Sequence, residues 1–245
     1  MPLKGATFDW WGTIAVLPSK EETAAVRELR IARLEEGLQR IGVRVDRSVL
    51  LRAYDRQGEL LEEAWAHHRE PSPEQQVHAF LRFARISPRD PRVASAVGEA
   101  IGGAILVRPP ALFPHVRETL DALKGRGLSL GMISNTGRTW GRYLTKAQEA
   151  LGIGPHFDVR VYSDEQRVRK PDRRMFDVAL AGLRLRPPDV VHVGDVVDAD
   201  IAGAKAVGMR AVWFNTGAWP DAKGDQADAE IHDHSELPTV LEAMP

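Results

Sequence analysis

The chain has 245 residues, is 43% hydrophobic and 27% charged, and carries 33 Lys+Arg against 34 Asp+Glu. A formal net charge of −1 offers no field to hold a phosphate backbone, so no nucleic-acid partner is expected. With no cysteine, disulfide frameworks, thiolate nucleophiles, iron–sulfur clusters and cysteine zinc sites are excluded.

The opening Met1-Pro2-Leu3-Lys4 shows no apolar export region, and no apolar run of about 18 residues follows anywhere. A soluble cytoplasmic protein with no membrane partner is the expectation. Leu3 to Asp9 reads as a short buried strand ending on a carboxylate, with Gly12-Thr13 as the turn behind it. From Pro18 to about Arg108 the texture is helical. Val26, Leu29, Leu34, Leu38 and Ile41 form one apolar face, opposite interspersed Arg and Glu. Ser48 is the predicted N-cap of a helix reaching His68; Ser72-Pro73 opens one to Ile86, and Pro91 to Val107 makes a fourth.

After Pro109-Pro110 strands and helices alternate. Phe113 to Lys124 is a predicted helix, and Leu128 to Ser134 a strand with Asn135 and Gly137 at its exit. Strands over Phe157–Tyr162, Val190–Gly194 and Arg210–Phe214 alternate with helices over Arg173–Leu183 and Asp200–Val207. Asn215 to Ala229, rich in Gly and Asp, is the least ordered-looking segment. Strands separated by helices predict right-handed crossovers and an α/β, three-layer, Rossmann-like core with a parallel central sheet. Residues 1–17 and 109–245 would form that core, with an all-helical unit over 18–108 inserted after its first strand.

Ligands of such sheets bind beyond the carboxyl ends of the strands. The groups predicted at that edge are Asp9 and Thr13, Ser134 and Asn135, Lys170 just before Pro171, and Asp195 with Asp200 behind it. Structural roles explain any one of them, but not all of them at strand ends. The pieces Phe8-Asp9-Trp10-Trp11-Gly12-Thr13, Ile133-Ser134-Asn135, Arg169-Lys170-Pro171-Asp172 and Val193-Gly194-Asp195 through Asp200 to Ala204 resemble the four motifs of the haloacid-dehalogenase-like hydrolase superfamily. The helical insert sits where that family carries its all-helical cap.

The resemblance implies a chemistry for each position. Asp9 is the implied nucleophile, forming an aspartyl intermediate. Ser134 and Asn135 with Thr13 and Lys170 are implied to hold and polarise a small anionic substrate, beside the loop at Trp11 and Gly12. Mg²⁺ is the implied cofactor, bound by Asp9, Asp195, Asp200 and the backbone carbonyl of Trp11. Cap opening about Leu17-Pro18 and Arg108-Pro109-Pro110 would admit substrate. A monomer or homodimer is expected.

Position 11 departs from the pattern. Phosphatases of the family carry a second aspartate there, as general acid; here Trp11 cannot transfer a proton, and losing such a group typically costs about 10²–10⁴ in rate. Three readings stay open. One is a Mg²⁺-dependent phosphatase acting on a good leaving group or drawing its proton from the cap. Another is a metal-independent 2-haloacid dehalogenase, a class with a bulky aromatic at this position, though Asp195 would repel a haloacid carboxylate. The third is a weakly active phosphate-binding or regulatory protein. Phosphonate cleavage needs a cap lysine, and between Pro18 and Arg108 only Lys20 is present. Asp198 reads as a loop or helix-capping residue, His67-His68 as solvated helix positions, the Arg set at 27, 30, 33 and 40 as a mostly salt-bridged helix face, and Trp65 as cap core.

Overall fold

The computed structural model describes residues 3–244. Met1 and Pro2, the start of the stretch read above for an export signal, lie outside the described residues, as does Pro245. Six strands form one parallel sheet: β1 (Gly5–Phe8), β2 (Ser129–Ser134), β3 (Val159–Tyr162), β4 (Val190–Gly194), β5 (Arg210–Phe214) and β6 (Ala229–Ile231), in the order β3-β2-β1-β4-β5-β6. β1 and β4 are buried along their whole length, as strands covered on both faces must be. β1 lies at the centre, with Gly5 level with Ser129 on one side and Val190 on the other. The chain moves outward through β2 and β3, then returns across β1 to β4. Such a reversal opens a crevice at the carboxyl edge.

Side chains divide between two apolar layers. Val191, Val193 and Val212 face α6 (Val116–Gly125), α7 (Gly141–Ala150) and α11 (Leu237–Ala243). Val190, Ala211 and Trp213 face α9 (Arg173–Leu183) and α10 (Ala202–Ala206). This alternation is the strand period of two, and it establishes the predicted three-layer class.

Between β1 and β2 run α1 (Lys20–Arg40), α2 (Arg47–Trp65), α3 (Pro73–Ala84), α4 (Pro91–Gly102) and the single turn α5 (Ala104–Val107). Ser19 and Ser72 close capping boxes at α1 and α3, each accepting from the third backbone N–H of its helix. Ile31, Leu34, Phe80, Val97 and Ile101 of this insert share one buried cluster with Trp140, Tyr143 and Leu144 of the sheet-bearing part. Among the described residues no helix is long and apolar enough to cross a membrane.

Several local expectations need correction. Ser48 is not a cap: Asp46 holds the extended cap position and Ser48 lies in the first turn of α2. The helix predicted over Pro91–Val107 breaks at Gly103, where a Cβ would meet the Glu99 carbonyl at 2.6 Å. α6 starts only at Val116, because His115 takes a left-handed conformation, φ 59°, that a right-handed helix cannot run through. The helix predicted from Asp200 begins as a π-helical turn over Val197–Ile201. The segment ending at Ala229 leads into β6, which pairs with β5 as an edge strand; three residues with Glu at their centre carry too weak a pattern to be seen.

Gly141 opens α7 against the Tyr162 ring, where an added Cβ would approach to 2.2 Å. Tyr162 is buried, and its hydroxyl is held by Thr145 and Gln148, so it has little room to yield. Gly141→Ala is expected to cost about 1–3 kcal/mol and lower the thermal midpoint by roughly 2–10 °C, read by circular dichroism. An unchanged midpoint would mean that Tyr162 gives way.

Candidate active site

Asp9 stands one residue past the end of β1, its N–H donating to the Val193 carbonyl at 2.9 Å. This bond ties the tip of β1 to β4 and brings Asp9 beside the Asp195 loop. Asp9, Asp195 and Asp200 are all buried, with carboxylate oxygens within 4.8 Å of one another. Lys170 reaches in from the loop after α8 (Ser163–Gln166). Its Nζ donates to Asp9 Oδ1 and to Asp200 Oδ1, both at 2.6 Å, and the residue is only 4% exposed. Among the described residues no donor reaches Asp9 Oδ2.

The glycines of this edge are set by close approach. Gly12 has φ +78°, a left-handed conformation, and a Cβ there would fall 2.3 Å from Asp195 Oδ2. At Gly194 a Cβ would meet the Asp200 carboxyl carbon at 2.3 Å. Larger residues at either position would push the carboxylates apart.

The remaining sequence-predicted residues fall into two groups. Ser134 is fully buried at the tip of β2, and its hydroxyl has no hydrogen-bond partner among the described residues. Trp11 is half-buried and walls a cavity of about 530 Å³ between the insert and the sheet edge, with Arg30, Tyr54 and Arg138 among its other walls. Thr13 and Asn135 instead point at their neighbours. Thr13 Oγ1 donates to Asp195 Oδ1 at 3.2 Å, while Asn135 accepts from the Lys170 N–H at 2.9 Å and donates to its carbonyl at 3.4 Å. Both therefore hold site residues in position. Asp198, His67 and His68 are exposed, in keeping with cap or solvated roles.

Three further residues escaped the sequence reading. His192, buried in β4, approaches Asp200 Oδ1 with Nε2 at 3.2 Å and Thr7 Oγ1 with Nδ1 at 2.9 Å. A carboxylate only accepts, so Nε2 carries the proton and Nδ1 accepts from Thr7. Trp219 donates its indole N–H to Asp195 Oδ2 at 2.8 Å. A lone histidine in an all-valine run was the available signal for His192. Nothing local marks Trp219, which sits in an exposed loop.

The electrostatics follow from burial and from one shared cation. Burial pushes the Asp9 carboxyl up to about 7, against the pull of Lys170 and with the push of Asp200 and Asp195. Burial, then the Asp200 charge, raises Asp195 to about 6. Asp200 is desolvated too, yet Lys170 and the His192 hydrogen bond prevail and hold it below the usual carboxylate range. Burial works against the Lys170 ammonium, but its two carboxylate partners win and raise it. Burial also lowers His192, keeping it neutral.

A buried ammonium and three buried carboxylates thus meet at the carboxyl edge of a parallel sheet, the edge where such sheets bind ligands. A family model for haloacid dehalogenase-like hydrolases matches residues 3–208, and the chain belongs to that family. It is 38% identical over 152 residues to a ribulose-1,5-bisphosphate 5-phosphatase of Halopiger xanaduensis, covering 61% of this chain and 62% of that one. A glyceraldehyde 3-phosphate phosphatase of Methanocaldococcus jannaschii is 35% identical over 142 residues, 57% and 59% of the two chains. The matched stretch thus spans about three fifths of the length of these relatives. Among solved structures, a 2-haloacid dehalogenase of Pseudomonas syringae superposes over 98% of both chains with a TM-score of 0.67 and 27% identity. A phosphatase of the same family from Thermococcus onnurineus, at 23% identity over 98% of both chains and a TM-score of 0.64, shares the fold.

Asp9 and Asp195 keep protons when folded at pH values where the unfolded chain, near the ordinary 3.8, has lost them. The contribution of these two carboxyls to metal-free stability is therefore expected to grow as pH falls from about 7 towards 4, while buried His192 and His234, both lowered, act in the opposite direction. Asp200, held low, loses its contribution only below its ordinary 3.8. Denaturation midpoints in chelator, wild type against Asp9→Asn/Asp195→Asn, check the sign. A wild type that weakens relative to the double variant on acidification would contradict it.

Proposed function

We propose that the chain is a Mg²⁺-dependent phosphatase acting on a small phosphorylated metabolite through an aspartyl intermediate on Asp9. The observation that carries this reading is the cluster of Asp9, Asp195 and Asp200 around Lys170, with the unpartnered Ser134 hydroxyl buried beside the same sheet edge. Three buried carboxylates face one formal positive charge there, so an oxygen-coordinated divalent cation fits the donor set. Asp9, Asp195 and the Trp11 carbonyl would hold it, with Asp200 close by. When bound, such an ion supplies positive charge to the phosphoryl oxygens.

Asp9 forms the new oxygen–phosphorus bond as the ester oxygen departs with its electron pair, and water later breaks that bond to release phosphate and regenerate Asp9. Lys170 orients Asp9 and offsets charge on the transferring group, and Ser134 donates a hydrogen bond to one of its oxygens. Thr13 and Asn135 keep Asp195 and Lys170 in place. Residues 18–108 act as the cap, which keeps bulk water from the intermediate. Its two crossings to the core lie side by side, joined by the Val16 N–H to the Ala111 carbonyl at 3.0 Å.

Trp11 leaves the departing oxygen without a proton from position 11. The leaving group must then be weakly basic, or be protonated from the cap, whose Glu22, Asp55, Glu59 and Glu62 line the same cavity as Trp11. The phosphatase names of the relatives support small phosphorylated substrates. A second reading, 2-haloacid dehalogenation, is favoured by Trp11, since halide leaves unprotonated, and by the likeness to the Pseudomonas syringae 2-haloacid dehalogenase. Asp195 opposes it by repelling a carboxylate substrate.

A phosphate- and halide-release screen with and without Mg²⁺ separates the two. Aryl phosphate turnover is expected to need Mg²⁺, to vanish in chelator, and to disappear in Asp9→Asn. Halide release that survives chelator would instead establish the dehalogenase. Trp11→Asp is expected to raise phosphatase turnover on a basic leaving group by about tenfold or more. No gain in a folded variant would mean that the cap supplies the proton or that the site has been reshaped around Trp11.

A further inference from the structure

Glu70 lies in the turn between α2 and α3, on the insert, yet its side chain is wholly buried against the sheet-bearing part. Its side-chain donors come from the end of α2, the start of α8 and the residue before Lys170. Oε1 accepts from the Trp65 indole at 2.9 Å. Oε2 accepts from the Ser163 hydroxyl at 2.8 Å and pairs with the Arg169 guanidinium. The backbone joins in: Glu70 N–H donates to the Arg167 carbonyl at 3.2 Å, and Arg169 N–H to the His68 carbonyl at 3.0 Å. Arg169 also lies over the Trp65 ring, 4.5 Å from its centroid.

Both arms lead to the site. Arg169 directly precedes Lys170. Ser163 spends its only proton on Glu70, so the Thr136 hydroxyl and N–H both donate to Ser163, at 3.1 and 2.9 Å. Thr136 follows Ser134-Asn135, and Asn135 in turn grips the Lys170 backbone. One carboxylate of the insert thus ties together the loop that follows Ser134 and the loop carrying Lys170.

We propose that Glu70 is the positioning residue through which the seated insert holds Lys170 in register with Asp9. Its function rests on the phosphatase reading above; its geometry does not. When the insert lifts, Glu70 leaves Arg169 and Ser163, and the Lys170 loop loses its outer support. When the insert seats, the ammonium is fixed between Asp9 and Asp200. Lid closure then completes the site as well as covering it.

The test compares wild type with Glu70→Gln and Glu70→Ala, using p-nitrophenyl phosphate with Mg²⁺, acetylation of Lys170 by acetic anhydride read by mass spectrometry, and amide hydrogen exchange. Wild-type Lys170 is expected to resist acetylation. Both variants should label it at least severalfold faster and speed exchange selectively over 163–170, leaving β4 and β5 protected. Turnover should fall by about 10–10²-fold in kcat, with KM changed much less, as for a misplaced reacting group. Glu70→Asp, which keeps the charge, should recover part of both effects. The proposal is overturned if Lys170 stays protected in both variants, or if exchange rises evenly through the chain as general destabilisation would make it. If wild type hydrolyses no phosphate ester, the phosphatase reading fails, while the acetylation and exchange results still decide the role of Glu70.

Discussion

One buried ammonium holds the site together. Lys170 is shared between Asp9 and Asp200, with Asp195 close to both. In a desolvated setting like charges repel strongly, and only a matched cation keeps such carboxylates from protonating or separating. The unequal outcome shows the shortage: Asp200, which also has His192, is held low, whereas Asp9 and Asp195 are pushed up. Everything else at this edge makes the crowding possible. Gly12 and Gly194 remove Cβ atoms that would collide with the carboxylates, and Asn135 fixes the backbone from which Lys170 extends.

The sheet order explains why these groups meet. β1 and β4 are neighbours although most of the chain lies between them, so Asp9 and Asp195 arrive at adjacent strand tips. The insert emerges at that same edge and shares an apolar cluster with α7. It is also joined by buried polar bonds: Gln76 donates to the Gly137 carbonyl and accepts from the Trp140 indole, and Arg138 donates to Gln57 and to the Tyr54 carbonyl. Buried polar groups are costly to leave unpaired, so these bonds specify one seating of the insert. The cavity beside Trp11 lies along this seam; its Glu lining comes from the insert, and Arg138 is contributed by the sheet-bearing part.

The architecture is largely legible in the sequence. Alternation of short apolar runs with helical stretches located β1 to β5 and the helical insert, because both periods persist over enough residues to stand out. What escaped was short or indirect. β6 is three residues long and borrows its order from β5. Ser48 has the chemistry of a cap but not the place, since helix starts shift by a residue or two with the preceding backbone. His192 and Trp219 act through hydrogen bonds to Asp200 and Asp195, and no spacing in the chain encodes those pairings.

By itself the sequence determined the family, the three-layer class and the set of charged and hydroxyl groups placed at strand ends, because strand period and turn chemistry are local properties. It also determined that Trp11 carries no transferable proton, a property of the side chain alone. Only the tertiary structure decided how those groups divide. It assigned Lys170 to two carboxylates at once, turned Thr13 and Asn135 toward their neighbours, left the Ser134 hydroxyl without a partner and brought Glu70 of the insert against Arg169 and Ser163. Hydrogen bonds and ion pairs depend on distances between residues far apart in the chain. Those distances exist only once the sheet has formed and the insert has seated on it.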